Sequence, residues 1–205
     1  MNGNQRHQVG KPENGMKHEN NFLAEKLDYI KHLDKNLRNP TMLALAKMLS
    51  LFNVFESTLF SKEHLTVEEH CRGFCKHLSQ YYPDGSGWLM NDAVYHFCEV
   101  FSKRYLYANG TANDRMDDLF PRNRRNELAN ALMSYDGDEK IDHLRSFLAL
   151  AYQYRNNLYH GKKGVDSLNE FCEYFDAISG LLAFLLGLYS ETDMCDPDTR
   201  EPLRF

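Results

Sequence analysis

No disulfide framework can be written for this chain, because its five cysteines, Cys71, Cys75, Cys98, Cys172 and Cys195, are odd in number and irregular in spacing. It also lacks a signal peptide and an apolar run of about 18 residues. The expectation is therefore a reduced, cytoplasmic protein without membrane attachment. Positive charge is scarce as well: 24 Lys and Arg stand against 29 Asp and Glu, a net charge of −5. Such a balance excludes coating nucleic acid by bulk attraction, so any RNA contact has to be a focused local patch. No phosphate-binding glycine loop, nucleophile elbow or dinucleotide fingerprint occurs, and no cofactor is expected. Strand-type alternation and internal repeats are missing too.

What remains is helical. With 42% hydrophobic residues over 205 positions, one sizeable core is affordable, and the periodicity predicts an all-α bundle of about six to seven helices. Residues 1–20 are polar and read as a tail, 21–190 as a single domain, and 191–205 as a second tail. Phe22, Leu23, Leu27, Ile30 and Leu33 recur at helical spacing in the first element. From Thr41 to Phe60 the chain is apolar all round, which predicts a fully buried helix interrupted by Asn53 and Glu56. Thr66 with Glu69 is a capping box opening a helix to about Tyr82, and Pro83 to Gly87 breaks the chain. Further helices are predicted over Trp88 to Tyr107, Asn123 to Met133, Glu139 to His160 and Ser167 to Tyr189, with a loop from Ala108 to Pro121.

The densest polar run, Tyr152-Gln153-Tyr154-Arg155-Asn156-Asn157-Leu158-Tyr159-His160, ends the Glu139 to His160 helix. Gly161, Lys162 and Lys163 follow as a stop signal. Four-residue spacing stacks Tyr152, Asn156 and His160 on one row and Arg155 above Tyr159 on another. Arg155 and His160 are five apart, about 140° around the axis at roughly 100° per residue. A bent last turn or a second copy of the helix would bring them together. A group titrating near neutrality beside a fixed guanidinium suits phosphodiester chemistry: the imidazole moves protons and the arginine neutralises charge on phosphate oxygens. The bland alternative is that Arg155 pairs with a carboxylate, His160 caps carbonyls and the asparagines are solvated.

An arginine, a polar residue and a histidine late in a bundle helix, here Arg155-Asn156 followed by His160, resembles the signature of HEPN domains. That resemblance implies a metal-independent endoribonuclease in which the ribose 2′-hydroxyl attacks the adjacent phosphate. It further implies a homodimer, a role as a toxin or defence effector, and an antitoxin or activating partner. Arg155, His160 and Asn156 would be the catalytic set, with Glu56, Asn53 and Tyr159 in support. A subgroup of the family carries a tyrosine two residues after the histidine as a target of nucleotide transfer; this chain has Lys162 there and departs from that pattern. The alternative is a non-catalytic helical module binding RNA, a nucleotide or a protein partner.

Two other clusters complete the reading. Arg122, Arg124 and Arg125, with Arg115 nearby, crowd a helix start where cations oppose the dipole, so an RNA phosphate or simple solvation would accompany them; Lys162 and Lys163 join them as RNA-binding candidates. His70, Cys71, Cys75 and His77 have the residue types of a zinc site, but two helix faces divide them, and no metal is expected.

Overall fold

Seven α-helices and no strand make up the described part of this computed structural model, which covers residues 38–59, 66–82, 91–120, 122–133, 140–159 and 168–193. The architecture is an all-α helical bundle. The chain divides into two compact units, Met1–Leu37 and Arg38–Phe205. Every described residue belongs to the second, so the expected tail over 1–20 and the expected helix after Asn21 lie outside the described residues.

Helix α1, Asn39–Leu59, buries Thr41, Ala44, Met48, Phe52 and Phe55 at intervals of three and four residues, the stripe that a helix shows when it lies against a bundle. The expectation of burial all round is corrected here: Leu43 is 72% and Val54 50% exposed. A helix on the outer layer covers one stripe only, and isolated apolar side chains are tolerated at a surface.

Helix α2, Val67–Tyr81, starts where the capping box predicts. The Thr66 hydroxyl accepts from the Glu69 amide while the Glu69 carboxylate accepts from the Thr66 amide. Helix α3, Asp92–Tyr105, begins after its Asn91 cap, later than the expected Trp88. It also stops earlier, because Tyr107 donates its amide to the Thr111 carbonyl and Leu106 bridges to Ala112. Gly110 makes that reversal at φ +81°, a backbone conformation other residues rarely adopt. The predicted loop beyond it contains the short helix α4, Asp114–Asp117, capped by Asn113.

Helices α5, Arg122–Met133, and α6, Lys140–Tyr159, pack on each other, and α6 also packs on α2. A 3₁₀ turn, Asn169–Phe171, leads into α7, Cys172–Asp193, which lies against α1 and α3. The expectation that no stretch has the length and composition of a membrane span is corrected: Asn169–Thr192 does, with a mean hydropathy of 1.6. Half of that window is buried in the bundle. Its Phe175, Ile178, Leu181, Leu182 and Leu185 fill the core, where an apolar helix serves protein packing as well as it would serve lipid.

The core is rich in aromatic rings, and these fix α6. Phe97 meets Phe147 with centroids 5.3 Å apart, Phe101 meets Tyr154 at 5.2 Å, and Phe52 of α1 meets Tyr152 at 5.2 Å. Edge and tilted contacts of this kind favour one rotation of the helix about its axis. The side chains that α6 sends out of the core follow from that rotation.

Candidate functional site

The last two turns of α6 are anchored by their tyrosines. Tyr154 shares a buried hydrogen bond of 2.6 Å with the Tyr105 hydroxyl of α3. Burial raises both phenols, so the pair stays protonated through neutral and moderately alkaline pH. Tyr152 is buried against Phe52, and its phenol is likewise pushed up by burial.

With those two rings turned inward, Arg155 points towards α1 and donates from Nη2 to Glu56 Oε2 at 2.9 Å. Both side chains are about three-quarters buried, at 23% and 22% exposure. The pair joins residues 99 positions apart in sequence. It is the carboxylate partner that the bland alternative assigns to Arg155, and it also brings the polar interruption of α1 to the motif helix. Asn53, three residues before Glu56, faces solvent instead.

Asn156 lies around the helix from Arg155 and lines a cleft of about 430 Å³. Its walls come from one face of α6 (Arg145, Ala149, Gln153, Asn156), from Glu68 and Cys71 of α2, from Arg124, Glu127 and Leu128 of α5, and from Phe120. Tyr152, Cys71 and Leu128 are its buried floor. The Cys71 thiol is pushed up to about 12 by burial, so this sulfur is no nucleophile near neutral pH. Sequence reasoning singled out Asn156 and Arg124 here and passed over Gln153, Glu127 and Arg145. Gln153 precedes Asn156 by three residues on the same face, a signal that was open to reading. The contributions of α2 and α5 leave no local trace.

Asn157, solvated in the bland alternative, is 9% exposed. It borders a space of about 10 Å³ with Leu119, Tyr154 and Phe171, room for about one water molecule.

The arginines of α5 have carboxylates against them. Arg124 donates to Glu68 Oε2 at 2.7 Å, and Arg124 foremost, with Arg72 and Arg145, holds the Glu68 carboxyl below the usual range. Arg125 pairs with Asp117. The side chains of Arg122 and Tyr159 lie outside the described residues, as do His160, Lys162 and Lys163. In the cysteine and histidine cluster, Cys71 and Cys75 are buried thiols, both pushed up to about 12 by burial, and His77 Nε2 contacts Thr192 Oγ1 at 2.9 Å. Among the described residues no group of three His, Cys, Asp or Glu side chains could hold a metal ion.

No protein-family model matches the chain, and comparison with curated proteins and with solved structures returns no match.

Proposed function

We propose that this chain is an endoribonuclease of the HEPN kind, acting in the cytoplasm as a toxin or defence effector and working as a homodimer without a metal. The observation that carries the proposal is the Arg155–Glu56 pair at 2.9 Å: an arginine held in a fixed orientation, three-quarters buried, at the end of the helix whose next described neighbour on the motif, Asn156, lines an open cleft. A guanidinium held against a carboxylate has a fixed orientation, and its planar fork suits phosphate oxygens.

In the reaction, the ribose 2′-oxygen forms a bond to the adjacent phosphorus and the bond from phosphorus to the 5′-oxygen breaks. The proton of the 2′-hydroxyl passes to a base and the departing 5′-oxygen takes a proton from an acid. The products are a 2′,3′-cyclic phosphate and a 5′-hydroxyl. His160 supplies the proton transfer, since it is the motif residue whose ordinary pKa lies near neutrality. Arg155 offsets the charge that gathers on the phosphate oxygens. Each chain carries one motif histidine, and two copies about a two-fold axis would supply both the acid and the base. An antitoxin or activating partner would hold the enzyme in check.

The rival, a non-catalytic module that binds RNA, a nucleotide or a protein, draws on the same ion pair read differently: an arginine already matched to a carboxylate needs no phosphate. Expression in a bacterial host separates the two. The wild-type chain is expected to arrest growth, and His160→Ala to relieve the arrest with helical content and oligomeric state unchanged. Equal arrest by the folded variant would favour the rival.

A further inference from the structure

Asn156 apart, the cleft it lines has a composition that the cleavage chemistry does not use. Its volume of about 430 Å³ lies in the range of small-molecule sites, roughly 300–1,000 Å³. Gln153 and Asn156 project from successive turns of one face of α6, and no hydrogen bond engages either carboxamide among the described residues. Each amide presents a donor and an acceptor together. Glu127 adds an acceptor across the cleft from α5, and Phe120 adds a ring at the wall. Arg124 and Arg145 bring positive charge to the same lining.

We propose that this cleft is a nucleobase-binding site that holds one base of the RNA strand beside the scissile phosphate, with Gln153, Asn156 and Glu127 reading the base edge. The part that assigns the base to a substrate strand rests on the ribonuclease reading; the binding of a base does not. Nucleobases present donors and acceptors side by side on one planar edge, which paired carboxamides and a carboxylate match, and single-stranded bases stack on aromatic or guanidinium planes. A phosphate attached to that base meets Arg124 or Arg145, each of which keeps N–H groups beyond those given to Glu68 and Asp142. Arg155, the next residue to Asn156, leaves α6 on the side of Glu56, so the base and the scissile group would be divided between adjacent faces of one helix.

The test is calorimetric titration of the full chain with AMP, GMP, CMP, UMP and ribose 5-phosphate, the last of which has no base. At least one nucleotide is expected to bind about tenfold or more tightly than ribose 5-phosphate. Ala149→Phe, which fills the cleft, and Gln153→Leu, which removes an amide, are each expected to weaken that binding by about tenfold, with circular dichroism unchanged. Both positions are partly exposed, and the two substitutions act by different means, so a folding defect in one leaves the other decisive. Nucleotides that bind no better than ribose 5-phosphate, or binding that survives both substitutions, would overturn the proposal. A trinucleotide carrying the preferred base, titrated into His160→Ala protein, is expected to bind more tightly than the mononucleotide; equal or weaker binding would assign the cleft to a free nucleotide and overturn the strand assignment. Uncut RNA with base binding intact would count against the ribonuclease alone.

Discussion

Arg155 joins two demands at one side chain, the integrity of the α1 to α6 contact and the proposed neutralisation of phosphate. Removing it leaves Glu56 as a mostly buried carboxylate without that donor. Arg155→Ala is therefore expected to lower stability by about 2 kcal/mol, the scale of a hydrogen bond between charged groups at partial burial, as read from urea unfolding. Glu56→Gln keeps shape and a hydrogen-bond acceptor and is expected to cost less. A variant pair whose losses simply add would show that the two side chains do not interact. The thiols give a second expectation at this scale. Cys71, Cys75 and Cys98 are each raised by burial to about 12 in the folded chain. A raised folded value keeps the proton on the native state after the unfolded state has lost it, so stability present below the ordinary thiol range declines as pH climbs from about 9 towards about 12. Urea midpoints that stay level from pH 8 to pH 11 would contradict that burial.

Helix starts were the most legible feature at the scale of the element, because their signals are local. Thr66 and Glu69 lie three residues apart and meet as the capping box requires. Thr66→Ala is expected to cost about 1 kcal/mol, a fall of roughly 2–4 °C in Tm for a chain of this size; no change in Tm would mean that α2 is held by packing alone. The Glu69 carboxyl is held below its ordinary range by hydrogen bonds from Thr66. A depressed value stabilises above the unfolded pKa and is lost on acidification through the folded one, so the effect of Thr66→Ala should shrink in acid. Other elements were harder to read. The outward stripe of α1 mixes Lys47, Ser50, Asn53 and Ser57 with Leu43, Ala46 and Val54, so its polar signal was present in the sequence but diluted by apolar neighbours. Helix α4 is four residues long and too short for periodicity to register. Arg155 and Glu56 could each be named from sequence, yet their pairing depends on how Tyr152 and Tyr154 rotate α6 against Phe52 and Tyr105. The cleft was illegible for a related reason: its walls come from three helices separated in the chain, and the arginines that looked like a bare cationic patch on α5 meet Glu68 and Asp117 only after folding.

The described part of the chain is a helical bundle whose core aromatics fix one helix end, and the proposed chemistry asks that end to work in pairs. If each site combines Arg155 of one chain with His160 of another, mixing Arg155→Ala with His160→Ala chains leaves one complete site per heterodimer, and part of the activity should return. A monomer at micromolar concentration in sedimentation would rule out that arrangement. The central claim is metal-independent RNA cleavage at the end of α6, and it is tested most directly by incubating single-stranded RNA with purified chain in excess EDTA and identifying the fragment ends. Wild-type protein is expected to yield a 2′,3′-cyclic phosphate and a 5′-hydroxyl, and folded His160→Ala protein to leave the RNA intact; cleavage that stops with chelator and returns with magnesium, or that persists in His160→Ala, would contradict it.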